Sequence, residues 1–295
     1  MPFTLKKVYM GFAVDMDRAY DTNARDGRPI RLDHPQYKDR LEHKRIFTEG
    51  MEKLFKYFKS INAEKSVTWF VNEASFNTTT KFPEIIKKCI DTGGEIGLHT
   101  HFNSAMFKSS TYTMPENPAI WEKEGIIKPK KRLEKFLNIF SNNQKKIKVF
   151  KAGNHIRNKE MFNKLVENDF EIDTTCVCNH KEVRNIDGKK LVLFNDENIS
   201  MEPFEFITDN GSIFEIPECS GGRKKLALSG KKEIYCRLQV HPWEAFQNHL
   251  NEFSRIIYYL KKHEIEIEFM NCEDMKKTYL KNNISKYHKI NVDNK

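Results

Sequence analysis

The chain has 295 residues, 39% hydrophobic and 31% charged, with 50 Lys and Arg against 41 Asp and Glu for a net charge of +9. That is enough apolar material for a full core, which excludes a disordered polymer, and no stretch approaches the roughly 18–20 apolar residues of a membrane span. The basic balance comes without a stacking-aromatic or other nucleic-acid module, so it reads as solvated Lys-rich helix faces, and no nucleic-acid partner is expected.

The first 14 residues lack the long apolar stretch and cleavage site of a secretory leader, and six Cys show no paired spacing. A cytoplasmic location is therefore expected. Along the chain, β-type apolar runs alternate with amphipathic helical ones. Residues 8–14 read as a strand, 46–61 as a helix, 66–71 as a strand, 83–92 as a helix and 95–98 as a strand. A long helical stretch at 120–140 leads to a strand at 147–150 and a helix at 159–168. Strands follow at 170–172, 191–194, 213–217 and 234–240, then a helix at 243–262, a strand at 265–270 and a helix at 273–280. Repeated βα units predict a parallel sheet covered by helices, either a barrel or a doubly wound layer. No G-x-G-x-x-G follows the first strand, which argues against a dinucleotide site. A single domain is expected over residues 1–282, with a polar, Lys-rich tail at 283–295 that frays. The loop at 18–44 exceeds the roughly two to six residues of an ordinary βα connection and carries Arg18, Arg25, Arg28, Arg31 and Arg40, so it reads as functional.

The chemistry collects at strand ends. Asp15 and Asp17 close the first strand, and His99 and His101 close the strand that begins at Glu95. Lys151, Asn154 and His155 follow the strand at 147–150, Asp173 closes the next, and His241 closes the strand at 234–240. In a parallel barrel all strand C-termini open on one face, so these clusters are expected to converge on one cavity. Alternation puts Asp15 and Asp17 on the same side. Two carboxylates so close raise one another's pKa unless a cation relieves them, and a divalent metal on one leaves the other as a base for water. His-x-His at a strand end aims both imidazoles the same way. With Asp17, His99 and His101 make three protein ligands of an open, zinc-type site. His241, before Pro242 and Trp243, is a candidate proton donor to a leaving group, and Asp173 a candidate to orient it. Taken singly, the aspartates also fit turn caps, and His241 a ring packed beneath Trp243. Cys176-x-Cys178-x-His180 lacks a second ligand pair and reads as buried or loop thiols.

Together these residues resemble the polysaccharide deacetylase family, carbohydrate esterase family four, whose motifs occur in a fixed order. Val14-Asp15-Met16-Asp17 resembles the first motif in a D-x-D form, which implies Asp15 as catalytic base and Asp17 as metal ligand. Glu95 through Asn103 is similar to E-I-G-x-H-[ST]-x-x-H. Phe150-Lys151-Ala152-Gly153-Asn154 resembles F-R-x-[GP], Asp173-Thr174-Thr175 resembles D-[ST]-[ST]-V, and Leu238-Gln239-Val240-His241-Pro242 resembles L-x-x-H-P. The closing segment, residues 269–275, is also similar to the family's C-terminus. The V-D-x-D and G-L-H-x-H forms resemble the branch encoded with O-antigen and capsule biosynthesis. Two positions depart from the pattern. Asn103 stands where the second histidine ligand falls, which makes His101 the expected ligand and Asn103 the alternative. Lys151 stands at the motif's arginine, keeping the charge but not the bidentate fork.

The resemblance implies an α/β fold, a distorted (β/α) barrel. It implies a metal-dependent hydrolase that removes acetyl from an N-acetylated amino sugar, glycan or nucleotide-sugar in surface-polysaccharide metabolism. One divalent ion is expected, zinc first, with cobalt, nickel or manganese as alternatives. Asp15, His241, Asp173 and Lys151 are the expected catalytic set, and Arg18, Asn154 and Trp243 the expected substrate contacts. Two other readings stay open: a catalytically degenerate sugar-binding protein, and an amidohydrolase-type enzyme acting on a non-sugar C–N bond.

Overall fold

Strand β1 (Lys7–Met16) decides the architecture, because it is buried along nearly its whole length yet feeds two separate cores. Val8, Met10, Phe12, Val14 and Met16 pack into the larger apolar cluster with the helices. Tyr9 and Ala13 join a smaller cluster with Phe70, Val149, Ile172, Ile216 and Tyr235. A strand apolar on both faces belongs in a parallel sheet covered on the outside, and here its second face lines the interior of a barrel. The computed structural model describes residues 5–17, 40–74, 77–100, 121–140, 145–155, 157, 159–179, 181–186, 189–195, 199–219, 231–283 and 289–291.

Helix α1 (Arg40–Ser60) returns the chain to β2 (Val67–Asn72), which pairs parallel with the second half of β1. The short α2 (Thr78–Lys81) and α3 (Pro83–Asp91) lead to β3 (Glu95–Thr100), parallel to β2. A π-helical turn, Trp121–Ile127, runs into α4 (Lys128–Leu137), and β4 (Val149–Ala152) follows, parallel to β3. Then come α5 (Lys159–Glu167) and β5 (Ile172–Asp173), parallel to β4. The ribbon β6 (Lys181–Ile186) and β7 (Lys189–Asn195) precedes the hairpin β8 (Phe204–Thr208) and β9 (Gly211–Glu215), and β9 lies parallel to β5. Strand β10 (Glu233–Val240) pairs with the other edge of β1. Single bridges from Glu218 to Val177 and to Arg237 draw the far end of the sheet back against β10, so the sheet curls around its inner core. After α6 (His249–Lys262), β11 (Glu266–Phe269) takes the first half of the β1 edge whose second half is held by β2. The last helix is α7 (Cys272–Asn282).

Two expectations are corrected and one is refined. The stretch expected to be helical at 120–140 is helical over 121–137 but passes from π to α where Pro129, in the first turn of α4, has no N–H to give to the carbonyl four residues back. That carbonyl, on Gly125, accepts instead from Thr100 Oγ1 at 2.7 Å, tying the segment to the end of β3. The helix expected at 243–262 starts as a 3-10 turn, Pro242–Phe246, broken from α6 by extended backbone at Gln247. The tail does not simply fray: Lys289–Asn291 form β12, parallel to β8, where Lys289 Nζ meets Glu205 at 3.2 Å.

Candidate active site

The inner face of the barrel becomes polar at its C-terminal end. Tyr9 and Ala13 face inward, so Asp15 and Asp17 do too, by alternation. Asn72, His99 and Lys151 occupy one row of the parallel register across β2, β3 and β4, and so point the same way. On β10, Tyr235 faces inward, and with it Arg237, Gln239 and then His241. Asp15, Asp17, Asn72, His99 and Lys151 are all buried.

Two linked clusters result. In the first, Asp17 Oδ2 lies 3.0 Å from His99 Nε2, and Asn72 Nδ2 donates to Asp17 Oδ1 at 2.5 Å. His99 Nδ1 lies 3.0 Å from the Lys151 carbonyl oxygen. A carbonyl only accepts, so Nδ1 carries the proton and Nε2 is the nitrogen turned to Asp17. Burial works against a charged His99, but the carboxylates of Asp17 and Asp15 overcome it and raise its pKa. In the second cluster, Asp15 Oδ2 accepts from Lys151 Nζ at 2.9 Å and from Gln239 Nε2 at 2.8 Å. Lys151 also donates to Gln239 Oε1, which fixes which way that amide faces. Glu218 Oε2 lies 3.5 Å from the same ammonium. Burial pushes the Asp15 carboxyl up, yet Lys151, His99 and His241 outweigh it and hold its pKa down at about 2. Its Oδ1 is buried and has no hydrogen-bond partner among the described residues.

His241 follows β10, with Nε2 3.7 Å from Asp15 Oδ2 and its ring stacked on Trp243 at 4.1 Å. The 3-10 turn that begins at Pro242 folds Glu244 back, so that Glu244 Oε2 accepts from the His241 backbone N–H at 2.7 Å and from Nδ1 at 2.9 Å. Burial lowers the imidazole's pKa, but Glu244 and then Asp15 and Asp17 prevail and raise it to about 9. At the end of β4, His155 holds left-handed backbone (φ 53°) and donates from Nδ1 to the Thr175 carbonyl at 2.8 Å, with burial pushing its pKa down to about 4.

The structure thus brings together Asp15, Asp17, His99, Lys151, His241 and Trp243 from the sequence-based set. Asp173 is not among them. In register it stands beside Phe150 and Glu215, whereas its neighbour Ile172 faces the inner core, so alternation turns Asp173 to the outer face of β5. Its carboxylate accepts from Thr175 Oγ1 at 2.8 Å and Thr175 N at 3.3 Å, and the residue that orients His241 is Glu244. Arg18, His101, Asn103 and His180 lie outside the described residues, as does the side chain of Asn154. Cys176 and Cys178 are buried. Sequence reasoning did not single out Asn72, Gln239, Glu218 or Glu244. Gln239 carried a usable signal, two residues before His241 and hence on the same face. So did Glu244, three residues after a histidine that precedes a proline, which is the spacing of a helix cap.

The donor chemistry fits a divalent cation. A carboxylate oxygen and an imidazole nitrogen 3.0 Å apart are spaced as two ligands of one ion with bonds of roughly 2.0–2.1 Å. The field of two buried carboxylates favours a positive charge there. Among the described residues no group of three His, Cys, Asp or Glu side chains could hold a metal ion, and Asp17 and His99 are the two that would face one.

No family model matches the chain, and no curated protein matches it. Among solved structures, it is similar to a Mycobacterium smegmatis protein described as a polysaccharide deacetylase, with 15% identity and a TM-score of 0.61 over 96% of this chain and 93% of that one. A Pseudomonas aeruginosa PAO1 protein described in the same way matches at 12% identity and a TM-score of 0.56, over 94% and 92% of the two chains. An allantoinase matches at 13% identity and a TM-score of 0.55, over 97% and 94%. At these identities the likeness is one of fold, and the fold is the polysaccharide deacetylase (β/α) barrel. Among the described residues, no helix is long and apolar enough to cross a membrane.

Proposed function

We propose that the protein is a metal-dependent hydrolase that removes acetyl from the nitrogen of an amino sugar or sugar precursor in surface-polysaccharide metabolism. Asp15 is the observation that supports it most. One of its oxygens is engaged by Lys151 and Gln239, while the other is buried without a partner among the described residues, left over for a water. The divalent ion, zinc by the donor chemistry with cobalt, nickel or manganese as substitutes, would be held by Asp17, His99 and His101, with Asn103 as the alternative third ligand. Bound there, such an ion supplies polarisation of an amide carbonyl and acidification of water.

The chain's own groups carry the protons. Asp15 stays ionised at any working pH and accepts the proton of the attacking water. His241, kept protonated by Glu244, gives its Nε2 proton to the departing amine, while the Trp243 ring stacked on it limits its rotation. Arg18 and Asn154 are proposed substrate contacts. The Arg-rich loop suits a phosphate on a nucleotide-sugar, which fits a cytoplasmic precursor.

Acetate release from a panel of N-acetyl sugars and nucleotide-sugars, with zinc, cobalt or manganese added, tests the reading. Release that disappears in Asp15→Asn and His241→Ala supports it. The likeness to an allantoinase favours a second reading, hydrolysis of a non-sugar amide, which the same assay with cyclic and open-chain ureides separates. Saturable sugar binding without turnover or metal uptake would instead identify a degenerate binding protein.

A further inference from the structure

Far from the strand ends, the outer face of α4 has a pattern of its own. Lys128, Lys131, Arg132, Lys135, Asn138 and Ile139 recur at helical spacing on one side, and all are exposed. Pro129, Leu133 and Leu137 on the other side are buried. The one carboxylate of the helix, Glu134, is turned away from the basic stripe, and its Oε1 accepts from the Ile147 backbone N–H at 2.9 Å. Arg132 meets Glu73 at 3.4 Å, whereas Lys131 and Lys135 form no ion pair with a described residue. Just past the last turn stands an apolar pair, Ile139 at 71% and Phe140 at 43% exposure. Its backbone is held in place, because the Ile139 N–H donates to the Phe136 carbonyl at 3.1 Å and the Phe140 N–H to the Leu137 carbonyl at 3.0 Å. The Phe140 ring lies 5.1 Å from that of Phe136. Lys145, also exposed and without an ion pair to a described residue, is brought beside this tip by its backbone N–H, which donates to Asn138 Oδ1 at 2.8 Å. Lys146 follows it, exposed as well and 3.9 Å from Asp169.

We infer that this face of α4, with its Ile139–Phe140 tip, is a docking surface for an anionic lipid bilayer. Charge complementarity selects the partner. Lys131, Lys135 and Lys145 meet lipid phosphates, while Ile139 and Phe140 pass below the headgroups to the acyl boundary. A bilayer interface is the surface that answers both halves of the pattern at once. The phosphates of a nucleic acid would take the cations and leave an aliphatic side chain as exposed as Ile139 in water. No helix among the described residues is long and apolar enough to cross a membrane, so this attachment is peripheral and reversible. The chain's net charge of +9 draws it toward the same surface from a distance. None of these residues belongs to the site at the strand ends, and the inference stands apart from the deacetylase reading.

Co-sedimentation of the full chain with phosphatidylcholine vesicles, with and without phosphatidylglycerol, tests it and needs no turnover. The protein is expected to pellet with the phosphatidylglycerol vesicles and to stay in solution with phosphatidylcholine alone. It is expected to be released at about 1 M salt, where charges are screened beyond roughly 3 Å. Two double variants, Lys131→Glu with Lys135→Glu and Ile139→Ser with Phe140→Ser, are each expected to lower the partition coefficient at least about tenfold. All four positions are on the surface, and an unchanged urea midpoint separates lost docking from lost folding. Should either double variant unfold, the single changes Lys131→Gln and Ile139→Ser carry the same test, with smaller losses in the same direction. In Phe140→Trp, the added fluorescence is expected to be quenched by phosphatidylglycerol brominated on its acyl chains, which reports entry below the headgroups. Absence of the protein from the phosphatidylglycerol pellet overturns the inference. So does a partition coefficient unchanged in the Ile139 and Phe140 variants, which would leave bare charge attraction. Salt-sensitive retention on duplex DNA without vesicle binding would assign the face to nucleic acid and overturn it equally.

Discussion

Glu244 and His241 are joined twice through a single carboxylate oxygen, which accepts the histidine's backbone N–H at 2.7 Å and its Nδ1–H at 2.9 Å. The same atom therefore caps the 3-10 turn and fixes the tautomer and charge of the imidazole. His249 Nε2, 3.5 Å from Glu244 Oε1, adds a second nitrogen to the network.

The pH dependence follows from this pair. The His241 pKa is raised from its ordinary 6.5 to about 9. A histidine raised in the folded state contributes stability that is fully present below 6.5 and is lost as pH rises through 9. In Glu244→Gln the largest raising influence is gone. The alkaline limb of kcat is therefore expected to move downward toward neutral pH, and stability near pH 6 to fall relative to wild type, with the difference shrinking as pH approaches 9. A pH–rate profile paired with urea unfolding at three pH values checks both. An unmoved alkaline limb would show that Glu244 does not set the acid's protonation.

Metal affinity is expected to depend on Asn72 although it is not a ligand. Its amide donates to Asp17 Oδ1 at 2.5 Å and leaves Oδ2 aimed at His99. Outer partners of this kind typically change affinity by roughly 10–100-fold. Asn72→Ala should weaken zinc binding by that factor in calorimetric titration, and His99→Ala should abolish it. Asp15→Asn should retain the metal while kcat falls by about 10²–10⁴, the usual contribution of a general base.

How far the site was legible in the sequence depended on whether a residue's face could be read. Asp15 lies on a long strand whose alternation is unambiguous, with Asp17 one residue past its end, and His99 and His241 close strands of six and eight residues, so their convergence could be read directly. Asp173 was misassigned because β5 has only two residues, too few for alternation to show which way it points. Glu244 was missed because the run from Trp243 to Lys262 reads as one helix. The 3-10 turn that returns the carboxylate to His241 depends on Pro242 and the extended backbone of Gln247. Strand β12 was hidden by its polarity, since it gains its partner only from the exposed edge of β8.

The relocation of Asp173 makes its own prediction. Asp173 and Glu215 form a buried pair of carboxyls, both with raised pKa, chiefly through burial and for Glu215 also through Asp173's charge. Glu215 Oε1 accepts from the Cys176 amide at 3.0 Å, while Oε2 is buried without a hydrogen-bond partner among the described residues, a setting that favours the neutral acid. A carboxyl raised in the folded state binds more protons than the unfolded chain, so stability falls as pH climbs through its folded pKa. Glu215→Gln keeps the shape without needing the proton. It is expected to match wild type near pH 5 and exceed it at pH 8 in urea unfolding. Asp173→Asn should leave kcat within about twofold, in contrast with loss of a general acid–base residue at roughly 10²–10⁴.

Gly50 offers a test of how the fold holds the acid. It lies in the middle of α1, where a Cβ would stand 2.1 Å from the carbonyl oxygen of Pro242, the residue immediately after His241. Glycine there costs α1 roughly 1 kcal/mol of helix propensity relative to alanine, so an exposed position would be stabilised by the exchange. Here the contact with backbone leaves no side chain to move aside, and overpacking of this kind costs about 1–3 kcal/mol or more. Gly50→Ala is therefore expected to destabilise the protein by at least about 2 kcal/mol in urea unfolding. Because the clash falls where α1 meets the His241–Pro242 turn, kcat should fall in the fraction that remains folded, with zinc affinity unchanged, since Asp17 and His99 lie away from that contact. A Gly50→Ala protein as stable and active as wild type would show that α1 does not press on this turn in solution.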